Sequence, residues 1–250
     1  MSAAIDLHDL TLTYERRPAV HHANGRFAAG SLTAIVGPNG AGKSTLIKAI
    51  AGTLKPAVGR VERNLLATRH IGYLPQAAEI DRSFPLSVAD TVMMGAWRSI
   101  GAFRGATRKH AQQAQEALGA VGLAGFEQRS ISSLSSGQFQ RVLFARLLLQ
   151  DASVILLDEP FTAIDARTTR DLLQLISTWH GQGRTVIAVL HDIEQVRQHF
   201  PSTLLLAREI IAWGDTADIL NDDNLRRAKN MAEHWNPDAQ PCDADAERTL

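Results

Sequence analysis

Cysteine is nearly absent from this 250-residue chain: the one copy, Cys242, excludes an intrachain disulfide and fits a reducing compartment. Net charge is also missing. Lys plus Arg and Asp plus Glu both number 26, so there is no overall basic field to hold nucleic acid. Aromatic residues make up only 6%. No apolar run approaches the ~18 residues that span a bilayer, so a membrane role is expected to come through a partner. The start, Met-Ser-Ala-Ala-Ile-Asp-Leu-His-Asp-Leu, has acids early and no basic stretch before an apolar one, and does not read as a signal peptide. What the chain does have is 45% hydrophobic residues, enough for a sizeable core in one large or two small domains.

The stretch with the most chemistry is Gly37 to Thr45, Gly-Pro-Asn-Gly-Ala-Gly-Lys-Ser-Thr, of the form G-x-x-x-x-G-K-[ST]. Ser31 to Val36 before it reads as a short buried strand. Ser44 to Ala51 after it has helical apolar spacing, with Gly52 as a stop. Strand, glycine loop and helix form a phosphate-binding unit: Gly40 and Gly42 let main-chain N–H groups curl round an anion, and the helix N-terminus adds about half a positive charge. Lys43 is suited to the β- and γ-phosphates, and the Ser44 hydroxyl to Mg2+.

Along the chain, Ile5 to Tyr14 alternates in part. With Arg26 to Ala28 and Ser31 to Val36 it suggests antiparallel strands, separated by a polar turn region that contains His21 and His22. Tyr14 is placed to stack on a base or to pack. Ile71 to Gln76 is a strand candidate ending in an amide that suits either a metal or solvent. Residues 77 to about 150 are predicted to be a helical insert, with helices over Ser87 to Gly95, Lys109 to Val121 and Gln138 to Leu149. Leu134-Ser135-Ser136-Gly137-Gln138 precedes the last of these, reading as an N-cap or as a second anion-facing helix start.

Val154 to Glu159 is an apolar run ending in two acids, the pattern of a central parallel strand aimed at a ligand. There Asp158 suits a Mg2+ shell and Glu159 the general base for a water. A helix is expected from Ala166 to His180, then a buried strand over Thr185 to Leu190 with His191 at its end, either a hydrogen-bond partner of a γ-phosphate or a structural histidine. Thr203 to Ala207 and Ile210 to Trp213 suggest a hairpin. Trp235 to Leu250 suggests a mobile polar tail.

Taken in this order, the motifs resemble the ATP-binding subunit of ABC transporters, over about Ile5 to Asn221. The fold implied is α/β: a P-loop NTPase core with a parallel central sheet, an N-terminal antiparallel β subdomain and an inserted α-helical subdomain, with residues 1–225 as the ATPase domain, the insert at about 77–150, and 226–250 as helix end and tail. By that resemblance Tyr14 is the adenine-stacking aromatic. Walker A contributes Gly37, Asn39, Gly40, Gly42, Lys43, Ser44 and Thr45 to ATP, and Gln76 is the Q-loop glutamine. Ser135, Ser136, Gly137 and Gln138 are the signature, Asp158 and Glu159 end Walker B, Ala163 to Asp165 form the D-loop, and His191 is the switch histidine. Mg2+ falls to Ser44, Gln76 and Asp158, and catalysis to Glu159, His191 and Lys43. Ser136 stands where the family usually has glycine, which predicts at most a local steric or backbone cost at the signature.

The resemblance further implies a head-to-tail homodimer in which each ATP lies between Walker A of one copy and the signature of the other. It also implies a membrane permease held against Gln76 to Trp97, a peripheral position on the cytoplasmic face, and indirectly an extracytoplasmic metal-binding protein. Ile71 to Gln76, Asp81 to Gly95, Asp158 to Thr162 and the Phe200 to Trp213 hairpin are most similar to the zinc and manganese uptake group; iron-chelate and cobalamin importers are the alternative. A soluble ABC ATPase acting on DNA or ribosomes is disfavoured, because too few residues separate Lys43 from Asp158 for a long coiled coil. A small-molecule P-loop kinase leaves residues 134 to 138 unexplained.

Overall fold

The computed structural model describes residues 5–14, 17–63, 70–101 and 105–233. The chain divides into two compact units, one formed by Met1–Leu65 with Ile187–Leu250, the other by Leu66–Val186.

In the first unit, β1 (Ile5–Tyr14) pairs antiparallel with β2 (Arg17–Phe27) and, on its other side, with β4 (Val58–Glu62). The apolar alternation of β1 changes phase between Leu7 and Leu10. A bulge causes this: the register shifts there, Asp9 takes φ 46°, and its N–H donates to Asn24 Oδ1 at 2.8 Å. Leu7, Leu10 and Leu12 therefore all reach the core. Strand β2 runs back to Arg17 and so takes in His21 and His22, which the sequence places in a polar turn region. Its buried residues are Pro18, Val20, Ala23 and Phe27, out of strict alternation because His22 itself has φ 43°. A bulged strand loses the period-2 signature by which strands are read.

Strand β3 (Leu32–Val36), buried throughout, lies parallel to β8 (Ser202–Ala207), and β9 (Glu209–Asp215) returns antiparallel to β8 as the predicted hairpin. Helix α1 (Lys43–Ala51) buries Leu46, Ile47 and Ile50, and stops at Gly52 in the left-handed region (φ 82°). The last carbonyls of α1 receive Arg63, whose guanidinium donates to Ala49 O at 2.8 Å and Ile50 O at 2.9 Å. Helices α7 (Ile193–His199), α8 (Thr216–Ile219) and α9 (Asp222–Glu233) complete this unit. The expected tail from Trp235 lies outside the described residues.

The second unit pairs β5 (Ile71–Leu74) parallel with β6 (Val154–Asp158). The three predicted helices over residues 77–150 are present as α2 (Val88–Met93), α4 (Arg108–Ala120) and α5 (Ser136–Gln150), and an unpredicted short helix, α3 (Trp97–Ile100), follows α2. Val88, Val92, Ala114, Ala117, Leu118, Val142 and Leu143 are among the apolar residues these helices bury. Helix α6 (Ala166–Gly181) stacks Trp179 on Phe144 of α5, with the rings 5.7 Å apart and 6° from parallel. Strand β7 (Thr185–Val189) then carries the chain from the second unit back into the first.

Arg63 supplies a charged double donor to carbonyls that a helix C-terminus leaves without intrahelical partners. Arg63→Met is therefore expected to destabilise the protein by about 1–3 kcal/mol, read as a lower urea midpoint at unchanged slope.

Candidate functional site

The first unit builds the phosphate loop. Leaving β3, the chain turns at Gly37 (φ 155°), Gly40 (φ 74°) and Gly42 (φ 91°), conformations that side-chain-bearing residues rarely adopt. Two of these glycines are also needed for space: a Cβ on Gly37 would run into the carbonyl of Leu206, and one on Gly42 into the carbonyl of Ala19 and the Val20 side chain. Arg208, itself at φ 65° in the β8–β9 turn, donates its N–H to Ala41 O at 2.9 Å and its guanidinium to Pro18 O at 2.8 Å. Burial lowers the pKa of that guanidinium.

Lys43 is 5% exposed, and its ammonium donates to Gly37 O and Pro38 O at 2.9 Å each, so the loop closes on the side chain that follows it. Among the described residues no side chain caps the start of α1, and its first turn holds no acid. An uncapped helix start behind left-handed glycines, with a lysine at its head, is a cradle for an anion of the polyphosphate class. Asn39 is exposed on this loop, and Ser44 and Thr45 are half-buried in the first turn of α1. Tyr14 ends β1 opposite Arg17, and the exposed His191 follows Leu190, whose N–H donates to Ile35 O at 3.1 Å.

The second unit carries the acids. Asp158 ends β6 fully buried, and Glu159 follows at φ 50°, half-buried. A glutamate in the left-handed region is a strained residue of the kind that functional sites retain. Burial pushes the Tyr73 phenol up, with the negative charges of Asp158 and Glu79 adding to it. That negative potential, with the hard oxygens of Asp158 and Gln76 in this unit, is the donor chemistry that a cation such as Mg2+ takes.

A cavity of about 430 Å³ within the second unit is lined by Gln76, Arg82, Ser136, Gln140, Glu159 and Ala163 among others. It brings together three residues singled out in the sequence, Gln76, Ser136 and Glu159. Gln140 is 2% exposed, and its Nε2 has no hydrogen-bond partner among the described residues.

Ser135 and Gln138 form a reciprocal cap on α5: Gln138 N–H donates to Ser135 Oγ at 3.2 Å, and Ser135 N–H to Gln138 Oε1 at 3.0 Å. Ser136 is the first residue of that helix and is absent from the positive-φ positions, as is Gly137. The backbone cost expected for Ser136 does not arise, because a helical φ suits any L-residue. Asp165 caps α6, accepting from Thr168 N–H at 2.9 Å and Thr168 Oγ at 2.8 Å. These two bonds, the backbone one first, hold its carboxyl below the usual carboxylate range.

Sequence reasoning missed Arg208, which braces the loop from outside, and Arg82, which donates to the carbonyls of Ile131 and Leu134 and lies over the Phe139 ring, fixing the approach to α5. A lone arginine carries no periodic or motif signal, so neither was legible in advance.

A parallel strand, a glycine loop that closes on its lysine and a strand end carrying Asp158 and Glu159 define a P-loop nucleotide-binding protein. The family model for the ABC transporter matches residues 20–162. The zinc transport system ATP-binding protein TroB of Treponema pallidum is 39% identical over 90% of this chain and 86% of its own length. The manganese transport system ATP-binding proteins MntB of Listeria monocytogenes and Bacillus subtilis are 36% and 37% identical, over 90% and 89% of this chain and 95% and 91% of their own. Among solved structures, an inward-facing ABC transporter provisionally classed as metal-chelate type superposes with a TM-score of 0.81 at 31% identity, over 91% of this chain and 89% of that one. A dimeric bacterial ABC transporter cassette does so at 0.74 and 28%, over 85% and 98%. The chain belongs to the ABC transporter family, as a nucleotide-binding ATPase subunit. Among the described residues, no helix is long and apolar enough to cross a membrane.

Thr168→Val removes the hydroxyl and leaves the N–H of the Asp165 cap. The Asp165 midpoint followed by carbon NMR should start below the usual carboxylate range and rise part of the way towards it. Because the native pKa is depressed, the cap's contribution to stability is present above the ordinary carboxylate pKa and is lost as pH falls through the native midpoint. An unmoved midpoint in Thr168→Val would contradict the assignment.

Proposed function

We propose that this chain energises uptake of a divalent transition metal, zinc first and manganese next, by hydrolysing ATP against a membrane permease. One observation carries the reading: the relatives that match nearly the whole chain at 36–39% identity are zinc and manganese transport ATP-binding proteins. The 31% identity to the transporter of provisional metal-chelate class favours an iron chelate or cobalamin as the second reading.

In the proposed mechanism the amides of Gly40 to Lys43 and the Lys43 ammonium hold the β- and γ-phosphates of ATP, and Tyr14 stacks on the base. Ser44, Asp158 and Gln76 hold Mg2+, which when bound neutralises phosphate charge. Glu159 takes the proton of the attacking water, and His191 hydrogen-bonds the γ-phosphate. Ser135 to Gln138 and Asp165 act on the ATP of a second copy in a head-to-tail homodimer, and the dimeric cassette among the similar structures supports a dimer.

Among the described residues the exposed large apolar ones, Phe84 (60%), Met94 (46%) and Trp97 (65%), all fall in the Gln76 to Trp97 stretch. That supports this stretch as the face for the permease, with the subunit peripheral on the cytoplasmic side. The transported ion belongs to the permease and an extracytoplasmic binding protein, not to this chain, and nucleic acid has no part in the cycle.

Glu159→Gln is expected to trap an ATP-dependent dimer in sedimentation and, placed in the source organism under chelator-limited growth, to abolish zinc or manganese uptake while iron and cobalt uptake persist. Unchanged uptake of zinc and manganese, with the variant protein shown to be present, would sink the metal assignment. Ser136→Gly, relieving no strain, should change ATPase turnover by no more than about twofold.

A further inference from the structure

The starts of α5 and α6 lie against each other within the second unit. A Cβ on Gly137 would stand 3.5 Å from Asp165 Oδ2 and 3.6 Å from Thr168 Oγ, ordinary contact distance. One helical turn after Gly137, on the same face of α5, comes Arg141.

The Arg141 side chain is 17% exposed, and its fork reaches three groups on two other helices. Nη1 donates to Val121 O at the end of α4 (2.9 Å), and Nη2 donates to Thr168 Oγ (3.2 Å) and Asp171 Oδ2 (2.8 Å) on α6. The Thr168 hydroxyl is buried and has both its roles filled: it accepts from Arg141 and donates to Asp165 Oδ2 at 2.8 Å. A continuous polar chain therefore runs from the body of α5 through α6 to the cap of α6. Gly122, at φ 72°, leaves room beside the guanidinium, since a Cβ there would lie 3.1 Å from Arg141 Nη1.

The ion pair with Asp171 is too exposed, at 47% for the Asp171 side chain, to be the purpose of this arrangement as a stabilising contact. Its geometry suits positioning. Only a planar, always-charged fork spans Val121 O, Thr168 Oγ and Asp171 at once, and a lysine ammonium does not.

We infer that Arg141, through Thr168, is a positioning residue that locks the signature cap (Ser135 to Gln138) to the D-loop cap (Asp165), so that both meet a second copy's ATP as one rigid edge. The inference rests on the proposed reading that those two caps act across a homodimer. Neither Arg141 nor Thr168 touches nucleotide in this scheme; their effect is transmitted through the orientation of the residues that do.

The test uses the purified full-length chain. In the Glu159→Gln background, ATP-driven dimerisation is measured by sedimentation for Arg141→Met, for Thr168→Val, which is nearly isosteric and guards against a folding failure in the first, and for the double variant. In the Glu159 background, kcat and KM are measured, and binding of the fluorescent nucleotide TNP-ATP reports on the monomer's own loop.

Each single variant is expected to weaken the dimer at least about fivefold and lower kcat about tenfold. KM and TNP-ATP binding should stay within about twofold, and the double variant should be no worse than Arg141→Met alone, the signature of one shared pathway. Parent-like dimerisation in both single variants, or losses that multiply in the double variant, would overturn the positioning role. A Glu159→Gln parent that stays monomeric with ATP would overturn the homodimer reading beneath it, and the inference with it.

Discussion

The phosphate loop is shaped from outside by backbone packed where side chains would otherwise stand. The carbonyls of Leu206 and Ala19 occupy the Cβ positions of Gly37 and Gly42, and Arg208 holds Ala41 O while anchoring itself to Pro18 O. With β8 and β2 backbone packed against Gly37 and Gly42, the loop has little freedom to flatten. Lys43 completes the shape, because a nearly buried ammonium has to be solvated by something, and the carbonyls of Gly37 and Pro38 do it. Among the described residues no side chain caps the start of helix α1, while Gly52 and Arg63 satisfy its other end.

The second unit follows a different rule. Here the starts of α5 and α6 are capped by side chains: Ser135 with Gln138 on α5, and Asp165 on α6. Ser135 and Asp165 are exposed, so the placement of these caps depends on what stands behind them. Arg82 ties down the carbonyls before α5, and Arg141 joins α4, α5 and α6. In the segment between β6 and α6, Glu159 and Ala163 both have positive φ. Such strain persists only where the surroundings over-determine it, and a fully buried β6 on one side with a capped α6 on the other provides that.

Much of this was legible in the chain itself. The loop, the helix after it, the buried strands at Leu32–Val36, Val154–Asp158 and Thr185–Val189, and the β8–β9 hairpin all announce themselves, because apolar period and turn residues are local properties. Strand β2 did not. Two residues at positive φ, Asp9 and His22, break the alternation that marks a strand, so His21 and His22 read as a turn although they sit in a paired strand. Ser136 was expected to carry at most a local steric or backbone cost; its helical φ removes the backbone part, and φ is set by the fold, not by residue type.

By itself the sequence determined the chemistry on offer: a glycine loop with Lys43 and Ser44, two acids closing an apolar strand, a serine-rich helix start and a histidine after a strand. These depend on residue type and short spacing, and no packing is needed to read them. Only the tertiary structure decided which residues hold that chemistry in place. Arg63, Arg82, Arg141 and Arg208 each act by donating to carbonyls or hydroxyls far away in the chain, and a hydrogen bond between distant residues leaves no pattern in a linear sequence.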